Sequence, residues 1–273
     1  MSKDKHWKAE AFLREREKLC VSASSRFLQL RESRGHVWYL ADQKEEISAL
    51  MLHSHRTLFP VFDRNPNIPG PRFLNRFLGK VPIHALQGLR EDAQLLEGLL
   101  EAQGYHATER IEYELMNLDN ATFPPALRTG PANLVLRPPL PEDLEYLVAL
   151  QTAYEREEVL PGNSVFNPAL PRLNLERILS KEHVLVAELN GEAVGKINTS
   201  AESFTRYQIG GVYVRPEYRG LGIGTRMTAV FAGTLLAGGK GVTLFVKKRN
   251  IAARAAYRKA GFSAIADYRI TYY

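Results

Sequence analysis

Cysteine is nearly absent from this 273-residue chain. The single Cys20 excludes an internal disulfide framework and points to a reducing compartment, the cytoplasm being the expected one. Long hydrophobic runs are missing as well. The longest apolar stretch, MTAVFAGTLLAGG, is too short to span a bilayer, and the charged opening MSKDKHWKAEAFLRERE reads as an amphipathic helix rather than a signal peptide, so no membrane partner is expected. Several catalytic signatures are lacking too. There is no G-x-S-x-G elbow for a serine hydrolase. His53-x-His55 has no third metal ligand at a recognised spacing, so no metal is expected and the two histidines read as surface residues.

What is present is a globular composition, 45% hydrophobic and 24% charged, over a length that suits two domains. Charge is unevenly spread. Residues 1–120 carry 17 basic and 17 acidic side chains, whereas residues 206–269 carry 12 basic against two acidic, Glu217 and Asp267. Such a segment attracts polyanions (a phosphorylated cofactor, nucleic acid or an acidic membrane), unless its Lys and Arg are simply solvated.

At the centre of that basic segment lies VYVRPEYRGLGIGTRM, residues 212–227. An alternating apolar strand breaks at Pro216, three glycines follow within five residues, and a helical pattern begins. Glycines there allow positive φ and close approach, and the helix N-terminus offers unpaired N–H groups, so the natural guest is an anion, most often a phosphate. Spacing separates the kinds of phosphate loop. No lysine completes G-x-x-x-x-G-K-[ST], and after Gly222 and Gly224 no third glycine completes a dinucleotide fingerprint. What remains is R-x-x-G-x-G, running from Arg219 through Gly220, Leu221, Gly222 and Ile223 to Gly224.

The chain also repeats itself. HVWYLADQKEEISALM from His36 matches HVLVAELNGEAVGKIN from His183, and LEGLLEAQGYHATERIEYEL parallels AYRKAGFSAIADYRITYY. The Pro-, Asn- and Thr-rich segment 117–133 lacks any period and divides the chain. We therefore expect a domain over 1–120, a linker over 121–133 and a second domain over 134–273. The first copy carries RNPNIPGPRFLNRFLGK where the second has its glycine loop.

The stretch 212–227 resembles the acyl-CoA motif of the GNAT superfamily of N-acyltransferases. RNIAARAAYRKAGF resembles the later motif of that family, N-x-x-A-x-x-x-Y-x-K-x-G-F, with Asn250, Ala253, Tyr257, Lys259, Gly261 and Phe262 in place. The resemblance covers residues 134–273. It implies a mixed α/β (α+β) fold of two tandem GNAT-like domains, each a twisted, mostly antiparallel sheet flanked by helices, with an N-terminal copy that lacks the acyl-CoA loop. It implies acetyl transfer from acetyl-CoA to a primary amine through a tetrahedral intermediate. The loop from Arg219 to Thr225 would hold the pyrophosphate, Val212, Tyr213 and Val214 would pair with the pantetheine arm, and an amide near Val212 would face the thioester oxygen. Asn250 would cap its helix and contact the cofactor, and Arg254 is a candidate for a nucleotide phosphate. Tyr257 would be the general acid for the departing thiolate. Ala93 and Leu100 replace Asn250 and Tyr257 in the first half.

Where many family members place a glutamate before the loop, this chain has Gln208, which leaves the general base open. Glu157 and Glu158, with Glu155 beside them, are candidates from the end of a predicted helix, as is Glu202 from a hairpin strand; a water chain is the alternative. Gly210 and Gly211 suit a bulge or a close approach. The acceptor, a small molecule or a peptide amine, is open, with YEREE pointing to a cationic one; a homodimer is possible. Two other classes compete: an acyl-CoA-binding regulator without turnover, and a nucleic-acid binder, for which no recognisable module is present.

Overall fold

The computed structural model describes residues 3–30, 35–42, 44–64, 78, 81–119, 129–160 and 165–273. Most of RNPNIPGPRFLNRFLGK and most of the expected linker 121–133 lie outside them. The chain forms two compact units, residues 1–115 with 265–273, and residues 116–264. The last strand thus groups with the first unit.

The first unit contains helices α1 (Lys3–Arg16) and α2 (Val21–Leu28), strands β1 (His36–Ala41), β2 (Ile47–Ser54), β3 (Thr57–Phe62) and β4 (Ala85–Leu89), helix α3 (Arg90–Glu101) and most of strand β5 (Glu109–Leu118). The strand order is β1-β2-β3-β4-β11-β5, where β11 spans Ser263–Tyr272. β1, β2 and β3 are antiparallel, β4 runs parallel to β3, and β11 antiparallel to β4. Leu58 of β3, Leu86 of β4 and Leu96 and Leu100 of α3 share one core cluster, with Ala93 buried beside them. This face of α3 is therefore packed with aliphatic side chains. Glu97, on the same helix, is buried and receives Arg269 (3.0 Å), Arg110 (3.3 Å) and the Thr271 hydroxyl, which anchors the end of β11.

His53 departs from the surface reading. It sits on the central strand β2, 6% exposed, with Nε2 3.0 Å from the Pro82 carbonyl, and burial holds its pKa below the usual value. Among the described residues, no three His, Cys, Asp or Glu side chains group as metal ligands would. Cys20 is buried, its thiol pushed up to about 12 by desolvation, so it packs as a small apolar group. Among the described residues no helix is long and apolar enough to cross a membrane.

The second unit contains β6 (Leu134–Arg137), α4 (Leu144–Tyr154), α5 (Leu170–Lys181), β7 (Val184–Leu189), β8 (Glu192–Glu202), β9 (Arg206–Val214), α6 (Ile223–Ala237), β10 (Gly241–Lys247) and α7 (Ile251–Lys259). Its strand order is β6-β7-β8-β9-β10, antiparallel except for the parallel pair β9–β10. Asn190 (φ 53°) and Gly191 (φ 82°) make the β7–β8 turn, both central residues in the left-handed region as a tight hairpin requires. Each unit thus runs antiparallel strands, β1 to β3 in the first and β6 to β9 in the second, into a strand parallel to its neighbour, β4 or β10, which is followed by a helix. Two cores flank the sheet of this unit. One gathers Ile223, Met227, Phe231 and Tyr257 from α6 and α7; the other gathers Leu147 and Leu150 of α4, Leu175 of α5 and Tyr213 of β9.

Asp92, at the start of α3, accepts the Phe62 N–H at 3.2 Å, and desolvation raises its carboxyl from 3.8 to about 7. Its folded-state pKa lies above the unfolded value. The stability it contributes is therefore fully present below about pH 4 and lost as pH rises through 7. Asp92→Asn keeps the acceptor and removes the titration. It should melt a few degrees above the parent at pH 8, and the gap should close toward pH 4 in thermal denaturation.

Candidate active site

The site is organised by β9. Its register with β10 runs from Arg206–Gly241 to Ile209–Leu244 and stops there, so residues 210–214 continue beside β8 alone. The β8 register also breaks at this point. Lys196 pairs with Tyr213 and Asn198 with Gly210, which leaves Gly211 and Val212 together opposite Ile197, a β-bulge. Gly211 has φ 59°, and a Cβ there would lie 2.0 Å from Asn198 Oδ1; a Cβ on Gly210 would lie 2.8 Å from Ser200 Cβ. Only glycine fits the first position. Both polar atoms of Gly211 are engaged: its N–H donates to the Tyr154 hydroxyl (3.3 Å), and its carbonyl accepts from Lys196 Nζ (3.1 Å). Val212 and Val214 pack toward α6, Tyr213 toward α4.

After Val214 the chain makes one 3₁₀ turn, Pro216–Tyr218, and enters the glycine loop. Gly220 (φ 79°) and Gly222 (φ 81°) are both left-handed, and Gly222 stands at the N-cap of α6 with no side chain capping the helix. The first-turn amides of Ile223, Gly224 and Thr225 therefore keep the donor capacity of an uncapped helix start, reinforced by its dipole. Arg219 bends back across this corner. Its Nε donates to the Val214 carbonyl (2.9 Å), its guanidinium lies 5.3 Å from the centre of the Tyr213 ring, and its fork binds both oxygens of Glu157 at 2.8 Å.

The predicted helix over 141–160 is regular only to Tyr154. Residues Glu155–Val159 form a turn of π-helix, a distortion common at functional sites. The turn distributes its three glutamates. Glu155 is buried and accepts from Gln151 (2.7 Å) and Asn174 (2.9 Å). Glu157 takes Arg219, as above. Glu158 takes Lys247 at 3.0 Å and Asn250 Nδ2 at 3.2 Å. Asn250 also caps α7, its Oδ1 accepting the Ala253 N–H at 3.0 Å. One turn thereby ties the glycine loop to the second motif.

Tyr257, on α7, is 9% exposed, and burial, with further contributions from Tyr154 and Glu158, raises its pKa well above the ordinary phenol value. It is a phenol, not a phenolate, at neutral pH. Arg254 turns to the Lys248 carbonyl at 3.4 Å. The candidate Glu202 and the departure Gln208 both have partners of their own. Glu202 pairs with Lys240 (2.7 Å), and the Gln208 amide donates to Ser200 Oγ (3.1 Å) across the strand pair. Sequence reasoning missed Tyr154, Lys196 and Asn198. The signal was a lysine and an asparagine two apart, flanking Ile197 in the strand paired with the one that carries Gly210-Gly211.

Much of the basic segment is neutralised by acids from outside it: Arg206 by Asp119, Arg215 by Glu192, Arg219 by Glu157, Lys240 by Glu202 and Lys247 by Glu158.

Residues 147–262 match the acetyltransferase (GNAT) family. Among curated proteins none matches the chain. Among solved structures, a Drosophila protein is similar over 100% of this chain and 97% of its own, at 13% identity and a TM-score of 0.68. A tandem GNAT protein from the clavulanic acid biosynthesis pathway is similar over 97% of this chain and 93% of its own, at 14% identity and a TM-score of 0.57. For a GNAT-family protein from Novosphingobium aromaticivorans, this chain spans 65% of that length and 61% of its own, at 17% identity and a TM-score of 0.45. The likeness to the tandem protein extends the two-domain GNAT-like fold over nearly the whole chain.

Two glycine substitutions separate strain from collision. Gly220→Ala meets nothing within 4 Å and bears only its φ of 79°, costing about 1 kcal/mol. Gly211→Ala adds the clash with Asn198 and should cost at least about 3 kcal/mol, read from urea midpoints of the two variants.

Proposed function

We propose that the chain, whose residues 147–262 match the acetyltransferase (GNAT) family, transfers an acetyl group from acetyl-CoA to a primary amine. The observation that carries this reading is the parting of β9 from β10 after Ile209, directly at the bulge and directly before the glycine loop. A strand edge open over 210–214 suits an extended arm that pairs with main-chain groups, and a loop of amides at the end of that edge suits the phosphates that terminate such an arm.

The residues divide the work. Amides of residues 220–225 and the Arg219 fork receive the pyrophosphate. Val212, Tyr213 and Val214 offer backbone to the pantetheine arm, and the Val212 amide donates to the thioester oxygen as it becomes an oxyanion. The amine attacks the carbonyl carbon, a C–N bond forms, and the C–S bond breaks as the tetrahedral species collapses. Tyr257, held protonated by burial, gives its proton to the leaving thiolate. The amine proton passes to Glu158 or Glu157 or to water held by them, Glu158 being the carboxylate that meets Asn250 and electrostatically senses Tyr257. The anionic turn 155–158 favours a cationic acceptor.

Glu157 has a second consequence. It occupies the Arg219 fork that the pyrophosphate needs, and a pair this exposed (43% on each side chain) is worth about 1 kcal/mol or less, so a polyanion displaces it. Glu157→Gln should therefore bind coenzyme A roughly threefold more tightly than the parent in calorimetry, whereas a fork that never leaves Glu157 would give unchanged affinity.

Tyr257→Phe tests the chemistry. We expect coenzyme A binding within about twofold of the parent and kcat lowered roughly 10²-fold in thiol release from acetyl-CoA with amine acceptors. Full activity in the phenylalanine variant would remove Tyr257 as the acid. Binding of acetyl-CoA without turnover of any amine would favour the regulator instead, for which Gln208 in place of an acidic residue is the supporting feature.

A further inference from the structure

Lys196 lies in β8 with no solvent exposure, where a lysine is rare unless paired. Its Nζ donates to Asn198 Oδ1 at 2.9 Å and to the Gly211 carbonyl at 3.1 Å, and it sits 5.1 Å from the centre of the Tyr154 ring. All three partners are neutral. The carbonyl it holds belongs to the peptide unit whose other end is the Val212 N–H. We propose that Lys196 is a positioning residue that polarises the Gly211–Val212 peptide through its carbonyl oxygen, and so strengthens the Val212 N–H as a donor to an acyl oxygen.

The physical basis is the cooperativity of hydrogen bonds. An ammonium at a carbonyl oxygen draws electron density from the amide nitrogen across the resonant peptide and leaves its proton more positive. Low dielectric around a fully buried group preserves that effect. A strengthened donor gains more from a developing oxyanion than from a neutral carbonyl, so the benefit falls on the reaction rather than on binding. The idea rests on the acyltransferase reading for the identity of the acceptor oxygen; the polarised peptide itself does not.

The device titrates. Desolvation lowers Lys196 from 10.5 to about 7, opposed by the negative charge of Glu155. The groups facing it are Tyr154 and Glu155 from the end of α4 and, across the strand pair, Tyr213 of β9; Glu155 is itself held by Gln151 and Asn174. Only the protonated lysine polarises strongly. The effect is full at about pH 5, half lost near 7, and gone above it.

The test uses the full chain, ¹⁵N-labelled, and Lys196→Met, which keeps an unbranched side chain without the charge. In the parent, the Val212 amide proton should move downfield as pH falls through about 7, and the carbonyl resonance of bound [1-¹³C]acetyl-CoA should follow it. In Lys196→Met both shifts should disappear, with coenzyme A affinity retained within about threefold. A folded parent whose Val212 amide shows no lysine titration at any pH up to about 11 overturns the proposal without reference to any variant, as does a methionine variant whose Val212 shift titrates like the parent's. A titrating Val212 in a protein that does not bind acetyl-CoA removes the acyltransferase reading and the role toward an acyl oxygen, and leaves the lysine–peptide coupling as the surviving result. A titrating Val212 with a bound acetyl carbonyl that ignores pH contradicts the role at the thioester while the binding reading stands.

Discussion

The second unit depends on one backbone constraint: β9 runs beside β8 to Val214 but pairs with β10 only as far as Ile209. A strand that loses a neighbour exposes main-chain donors and acceptors that must be satisfied. The bulge at Gly211–Val212 turns that liability into a defined geometry, because Tyr154 and Lys196 fix the N–H and the carbonyl of Gly211 while Asn198 fills the space a side chain would occupy. The left-handed glycines, the uncapped start of α6 and the capped start of α7 then fall at the end of a strand edge that has a fixed shape.

Features set by local backbone chemistry were legible in the sequence. Gly220 and Gly222 sit at positive φ, Asn190-Gly191 makes the hairpin turn, and Asn250 caps its helix; each follows from residues within a few positions. Features that need two distant segments were not. Arg219 and Glu157 are 62 positions apart, and nothing in either motif names the other. The π-turn was hidden inside a helical period because an extra residue per turn leaves the apolar spacing of α4 intact up to Tyr154. Alternating hydrophobicity identified the last strand but not its neighbours, and residues 265–273 group with the first unit. His53 misled for the same reason: a polar side chain on a strand reads as exposed until the strands on either side of it are known.

Charge reads differently in three dimensions. The excess of Lys and Arg over 206–269 suggested an open basic surface, yet acids from neighbouring elements neutralise many of these side chains. Two of the pairs, Arg219–Glu157 and Lys247–Glu158, meet at the π-turn and are of unequal kind. The first is half exposed and displaceable; the second has a lysine only 6% exposed and supports the turn. Arg219, through its displaceable partner, and the loop amides thus offer positive charge to a polyanion at the end of the β9 edge.

The most direct test of the account is calorimetric titration of acetyl-CoA into the full chain beside Gly222→Val, a variant that cannot hold φ at 81° and whose Cβ would lie 3.1 Å from the Gly130 nitrogen. Micromolar binding by the parent and its loss in the variant are expected, with both proteins folded by circular dichroism. Equal binding by the two would place the coenzyme away from the glycine loop and contradict the assignment of β9 and its loop as the acyl-CoA site.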